Sequence, residues 1–292
     1  MITLRPPARL HRVLPLDRQR VLHVGSGPAP ELTRYPWLRV GEARSPLEHL
    51  SFDDSEFDCV YAPSGVDRSS DEVLSEFNRV LAPGGCLVTR RRSALGTRLG
   101  ATGFAEVSEP QPGAYVAWKQ PRDRVQRARE LTHWAHMSLD PGRPQNSDDP
   151  LRILADGYAL CWGYVLVLGE ALRRENYRPR YVTMVAEEHP RGRGERLEDS
   201  HDVLEVPIDR VTVVCDPMAN VVFTTSIAEL LAEPGRADVP RDETERYRAR
   251  RYDLYSTSVW YERVRRVAVR RDRGSRLRFQ SVVALVRGTA TS

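Results

Sequence analysis

The chain has 292 residues, 29% of them charged, with a formal net charge of +4. That length calls for two hydrophobic cores rather than one. No apolar run approaches the eighteen or so residues of a membrane span, and Met1 to Leu16 is basic without an apolar core or cleavage site, which predicts a cytoplasmic chain without a signal peptide. Four cysteines (Cys59, Cys86, Cys161, Cys215) stand far apart with no C-x-x-C pair. They read as free thiols in a reducing compartment rather than a disulfide framework or a zinc site. Only one of the 44 basic residues is a lysine, Lys119, a skew that points to GC-rich coding rather than to a phosphate-binding surface. No nucleic-acid-binding motif accompanies it.

In chain order, Arg20 to Gly27 reads as a buried strand running into a glycine turn. A second strand is predicted around Phe57 to Ala62, after the turn Leu50-Ser-Phe-Asp-Asp-Ser-Glu. Residues 70–81 carry helical spacing (Val73, Leu74, Phe77, Val80, Leu81), and Ala82-Pro-Gly-Gly ends that helix before a strand at Cys86 to Thr89. Strand, helix, Pro-Gly-Gly, strand is the order of an open α/β sheet. Gly103-Phe104 and Ala114 to Lys119 are expected to close it as a strand pair.

These segments resemble the class I methyltransferases that use S-adenosylmethionine, over about Arg20 to Lys119. Measured against that family, only ten residues, Pro28 to Trp37, separate the glycine turn from the strand-like Leu38-Arg-Val. A helix, a second strand with its ribose-binding carboxylate, and another helix are then missing. Gly25-Ser-Gly-Pro-Ala-Pro30 also lacks a third glycine, and its prolines remove backbone donors. The resemblance therefore implies a truncated, degenerate methyltransferase-like Rossmann sheet over residues 1–120 that holds no cofactor. Were binding retained, Gly25, Gly27 and Asp54 are where it would be sought.

Residues 121–292 form the second predicted domain. Arg124 to Met137 reads as a helix, with Val125, Ala128, Leu131, Trp134 and Ala135 on one face. Its His133 and His136 lack an acidic or thiol partner, so no metal is expected. A polar loop, Asp140 to Pro150, precedes a helix-period segment that begins at Cys161 (Tyr164, Leu166, Leu168, Leu172). Strands are expected at Tyr181 to Val185, at His201 to Ile208 and at Val211 to Asp216, with Glu187 to Ser200 as a surface loop lying over His201. Ala219 to Thr224 is a further strand candidate, Ser226 caps a short helix, and Arg236 to Arg251 is an exposed charged segment. Val259 to Val269 and Leu277 to Val286 read as a hairpin with an arginine-bearing face.

A cysteine at a helix start, a histidine about forty residues on that opens a strand, and an aspartate fifteen residues later followed by Pro217 together resemble the transglutaminase-like fold, related to the papain-like cysteine enzymes. The likeness covers about Leu151 to Leu230. Ala159 and bulky Trp162 depart from the small residues that the family often places around its cysteine. The resemblance implies an α+β domain in which Cys161 attacks an acyl group, His201 moves the proton and Asp216 orients the imidazole. It also implies an enzyme of bacterial secondary metabolism, making amides or transferring acyl groups on a small molecule or an acidic carrier protein's substrate. Two other readings stand beside it: intramolecular C–N ring closure on the same site, and a non-catalytic subunit that serves a separately encoded partner.

Overall fold

The computed structural model describes residues 10–25, 29–43, 47–63, 66, 69–91, 95–187, 198–238, 258–272 and 279–289. The chain divides into two compact units, Met1–Asp123 with Arg174–Asn176, and Arg124–Arg173 with Tyr177–Ser292.

The first unit is built on a six-stranded sheet. β1 (Arg20–Val24), β2 (Arg39–Ala43), β3 (Phe57–Ala62), β4 (Leu81–Arg90), β5 (Glu106–Gln111) and β6 (Ala114–Trp118) lie in the order β2-β1-β3-β4-β6-β5. The first four are parallel, and β6 is antiparallel to both β4 and β5. Val21, Leu22, Cys59, Val60, Leu87 and Val88 are fully buried, as strands covered on both faces require. Helix α1 (Asp71–Val80) starts where Ser70 Oγ accepts from the Val73 N–H at 3.4 Å, and it buries Val73, Leu74, Phe77 and Val80 against the sheet. β4 starts at Leu81 rather than at Cys86, and Gly84 within its Pro-Gly-Gly opening supplies a left-handed residue at φ +71°.

Two expectations change here. The strand that begins near Leu38 pairs in parallel directly with β1, Arg20 opposite Arg39 through Val24 opposite Ala43, so β1 has an outer neighbour. With β2 on one side and β3 on the other, the sheet keeps a topological switch point at the C-terminal end of β1. The missing helix is replaced by a 3-10 helix, Pro30–Arg34. The closing pair starts at Glu106, not Gly103-Phe104, and a seven-residue helix α2 (Leu95–Ala101) precedes it. Its two glycines mask the helical pattern.

The second unit carries α3 (Arg124–Ser138), a two-residue parallel pair of β7 (Asp140–Pro141) with β8 (Tyr158–Ala159), α4 (Pro150–Asp156) and α5 (Cys161–Arg174). Its main sheet comprises β9 (Arg180–Glu187), β10 (Glu198–Ile208), β11 (Val211–Asp216), β12 (Val221–Phe223), β13 (Val264–Arg270) and β14 (Gln280–Ser281). These run in the order β12-β11-β10-β9-β13-β14, antiparallel throughout. Helices α6 (Ile227–Ala232), α7 (Ser258–Tyr261) and α8 (Val282–Thr289) complete the unit.

Alternation along the strands gives the sheet two faces. Met184, Val182, Val203, Val214 and Phe223 pack with α6 and with Trp260 and Tyr261 of α7. On the opposite face, Tyr181 lies against α5, its hydroxyl oxygen so close to Gly169 that a Cβ there would sit 2.3 Å away. Tyr164 to Leu168 of α5 are completely buried, so this helix is anchored through its middle and only its ends reach functional surroundings.

Several boundaries also move. Glu187 closes β9 and Glu198–Ser200 belong to β10, paired with Glu187 to Val185; the rest of the expected loop, 188–197, lies outside the described residues. The C-terminal hairpin shrinks to β13 with the two residues of β14, because Ser258–Tyr261 and Val282–Thr289 are helical. Of the charged segment, Pro234–Ala237 forms a 3-10 helix, and 239–257 lie outside the described residues.

Gly163 in the first turn of α5 faces Ala159, whose Cβ would be 2.5 Å from an added methyl, with Gln145 Oε1 at 3.0 Å. The crowding comes from β8 and from the polar loop before it, so the methyl has nowhere to go without moving the start of α5. Gly163→Ala is expected to destabilise the fold by about 1–3 kcal/mol, read as a lower midpoint in urea unfolding.

Candidate active site

Cys161 is the first residue of α5 and half-buried, whereas Cys59, Cys86 and Cys215 are buried. The Leu160 carbonyl accepts the first α-helical bond of α5, from the Tyr164 N–H at 3.1 Å. The opening N–H groups of α5 have no intrahelical partner.

His201 and Asp216 come from neighbouring strands. Leu204 stands opposite Cys215 in the β10–β11 register. Asp216, the last residue of β11, thereby lies on the same sheet face as His201 and diagonal to it. The two side chains are completely buried, and His201 Nε2 lies 2.7 Å from Asp216 Oδ2. The other carboxylate oxygen, Oδ1, accepts from the Ala219 N–H at 3.0 Å, which locks the carboxylate in the turn that follows β11. Trp260 of α7 meets the imidazole edge to face, with centroids 5.7 Å apart and planes at 84°.

Burial works against a charge on His201. The Asp216 carboxylate overcomes it by charge and hydrogen bond, with a further contribution of the same sign from Cys161, so the imidazole is pushed up to about 10. The raised value favours a protonated ring beside the Asp216 carboxylate. The structure thus brings together all three residues singled out in the second half of the sequence.

Three further residues at this site carry no local motif. Asp202 Oδ2 accepts from the Cys161 thiol at 3.5 Å, and Asp202 Oδ1 accepts from the Thr183 hydroxyl at 2.6 Å. Gln145 Oε1 accepts weakly from the Leu160 N–H at 3.5 Å, next to the helix start. Trp162 is fixed away from the sulfur's immediate partners: its indole N–H donates to Asp148 Oδ1 at 3.1 Å, its ring meets Tyr181 at 5.7 Å, and the Arg270 guanidinium lies 4.4 Å from its centre.

His133 and His136 do not form a metal pair. The His136 ring is buried with Nδ1 3.1 Å from the Pro217 carbonyl oxygen, while exposed His133 has Nδ1 3.2 Å from Asn220 Nδ2. Among the described residues no cluster of His, Cys, Asp or Glu could hold a metal ion.

In the first unit, Gly25 follows β1 at the C-terminal end of the parallel strands, and Gly27 lies outside the described residues. Asp54 does not join them. It precedes β3, at the opposite end of the sheet, and its carboxylate pairs with Arg79 at 2.5 Å. The carboxylate at the right end is Glu42, in register with His23, which the sequence hid because the strand after Leu38 reads as a later one. Glu42, His23, Leu32, Thr33, Tyr35 and Val40 line a cavity of about 510 Å³. Residues 26–28 lie outside the described residues, and the helix after them is a five-residue 3-10 helix headed by Pro30 without a side-chain cap, which offers a bound phosphate or carboxylate fewer N–H donors than an α-helix would.

A family model described as a methyltransferase domain matches residues 23–89, the span from β1 through most of β4. No curated protein matches the chain. Among solved structures, the cyclase SpnF is 20% identical, with a TM-score of 0.26, over 31% of this chain and 52% of its own. This chain therefore spans about half the length of SpnF. A putative methyltransferase from Bacillus halodurans is 16% identical, with a TM-score of 0.30, over 35% of this chain and 70% of its own. The CMeT domain of the citrinin polyketide synthase is 13% identical, with a TM-score of 0.29, over 36% of this chain and 47% of its own. The first unit is similar to a methyltransferase domain and has a mixed α/β, Rossmann-like sheet.

The raised His201 has a sign consequence for stability. A histidine held near 10 in the folded chain and near its ordinary 6.5 when unfolded stabilises the fold fully below pH 6.5, and that contribution is lost as pH rises through 10. The urea midpoint of the wild type is expected to fall between pH 7 and 10, and His201→Gln, already less stable at pH 7, to show a flatter profile over that window.

Proposed function

We propose that the second unit is a cysteine acyltransferase or amide-forming enzyme, with a transglutaminase-like triad of Cys161, His201 and Asp216. The observation that supports this most is the fully buried 2.7 Å His201–Asp216 bond, on an imidazole that Cys161, at the start of α5, also influences electrostatically. A buried imidazolium beside a thiol favours sulfur as thiolate when an acyl donor arrives. Sulfur then attacks the carbonyl carbon, and the N–H groups opening α5 stabilise the oxyanion. The imidazolium gives its proton to the leaving group, and the acyl-enzyme remains. The neutral imidazole next takes a proton from an amine or water, which attacks the thioester, and the C–S bond breaks. Asp216 holds the ring in one orientation throughout. In this reading the acyl donor is a small molecule or a group carried by an acidic carrier protein, to which a chain of net charge +4 is electrostatically suited.

The first unit serves this enzyme as a docking or scaffold domain. Millimolar S-adenosylmethionine is expected to leave the melting temperature unchanged, whereas a ligand at a hundred times its Kd would add about 2.7 kcal/mol. A rise that disappears in Glu42→Gln would show instead that the cofactor binds.

The triad is tested with p-nitrophenyl acetate. Wild type should release a burst of nitrophenolate stoichiometric with enzyme and carry one acetyl group on Cys161 by mass spectrometry. Cys161→Ala should show no burst, and His201→Ala should acylate at least about 100-fold more slowly. An undiminished burst in Cys161→Ala would refute the assignment.

A further inference from the structure

The sulfur of Cys161 has two ionisable neighbours from one strand, and only His201 belongs to the proton relay. Asp202 is the next residue of β10, so its side chain leaves the strand on the opposite face. Its direct cross-strand partner is Thr183, whose hydroxyl holds Oδ1 at 2.6 Å and leaves Oδ2 aimed at the sulfur at 3.5 Å. Both partners are neutral groups, and among the described residues no arginine or lysine pairs with this half-buried carboxylate. A carboxylate beside a nucleophilic sulfur disfavours negative charge there, and a resting thiol hydrogen bond would be lost on acylation. Something positive is therefore needed at this place during turnover.

The placement of the two neighbours says which part of the substrate supplies it. The leaving group and the attacking nucleophile exchange protons with the same imidazole, so both occupy the His201 side of the sulfur. The body of the acyl group, bonded to sulfur through its carbonyl, extends elsewhere, and the side left to it is that of Asp202. An amino group one or two carbons beyond the thioester carbonyl would come within hydrogen-bonding reach of Oδ2, in the place that the thiol proton occupies at rest.

We propose that Asp202 is a specificity-determining residue that selects acyl donors carrying an ammonium group next to the reacting carbonyl, that is, aminoacyl esters or thioesters. This rests on the acyl-enzyme reading of Cys161. In the acylation step, the Cys161 thiol proton is released to water as the substrate's ammonium takes its place at Asp202, the sulfur bonds to the aminoacyl carbon, the carbonyl carbon's bond to the leaving thiolate breaks, and the His201 proton passes to that leaving sulfur. The ammonium keeps its protons and pairs with Asp202. Thr183 acts through Asp202 by fixing its rotamer.

Two probe pairs test it. The first is glycyl- and propionyl-N-acetylcysteamine, which differ by an ammonium in place of a methyl group, with acylation of Cys161 followed by intact-protein mass spectrometry and each rate divided by that of a free small thiol. Wild type should favour the glycyl donor by about tenfold after that correction, and Asp202→Asn should lose the preference while still being acylated. The second pair is the trimethylammonium-ethyl and sulfonato-ethyl methanethiosulfonates, which form a mixed disulfide with Cys161 and release a sulfinate, and so need no acyl chemistry. The cationic reagent should react about tenfold faster, relative to a free thiol, in wild type but not in Asp202→Asn. Equal corrected rates within each pair in wild type, or a preference that survives in Asp202→Asn, would overturn the proposal. Should neither thioester acylate Cys161, the acyl-enzyme reading itself falls and takes the aminoacyl donor with it, and the disulfide pair then reports separately whether Asp202 selects positive charge.

Discussion

The second unit depends on one hydrogen bond, between an imidazole and a carboxylate that are both completely buried. Two such groups are expensive to take out of water. They persist only if each compensates the other and their remaining atoms are satisfied. Asp216 meets that condition through the Ala219 N–H, and the edge of Trp260 packs on the imidazole. That requirement fixes the β10–β11 register, since a slip of one residue would carry His201 to the other face of the sheet. It also fixes where β11 must stop, because Asp216 can turn its second oxygen to the backbone only in the turn that follows.

The placement of Cys161 follows from packing rather than from polar contacts. Tyr164 to Leu168 bury the middle of α5, and Gly169 lets the helix approach Tyr181. Gly163 does the same at the other end, against β8 and Gln145. The helix is held along its length by close contact. The first unit is organised differently: its ion pairs hold the ends of strands, Asp58 on Arg20 and Arg79 on Asp54 and Glu76. Such pairs on a partly exposed rim contribute little individually.

Much of this was legible in the sequence where local pattern and tertiary role agree. Ser226 announces its helix, the period of α5 places Cys161 at its start, and the alternation after His201 and before Asp216 yields β10 and β11. The misses have physical causes. The pairing of β2 with β1 is a non-local choice that no local pattern encodes. Val282–Thr289 is rich in β-branched residues, which favour strands in isolation, yet Val282, Leu285 and Val286 pack as a helix on the second core; tertiary contact overrides propensity. Asp202, flanked by Asp199, His201 and Val203, reads as a solvated strand start, and only the fold brings Thr183 and Cys161 to it. Trp260 reaches His201 from 59 residues further along the chain.

The central claim is that the buried pair keeps a proton on His201 beside the Cys161 sulfur. Nitrogen-15 NMR of the His201 ring, titrated from pH 6 to 10 in wild type and in Asp216→Asn, tests it most directly. The account predicts a ring protonated on both nitrogens through pH 8 in the wild type, and a midpoint well below that of the wild type once the carboxylate is neutralised. A wild-type His201 that loses its proton near pH 6.5, or one whose titration is unmoved by Asp216→Asn, would contradict it.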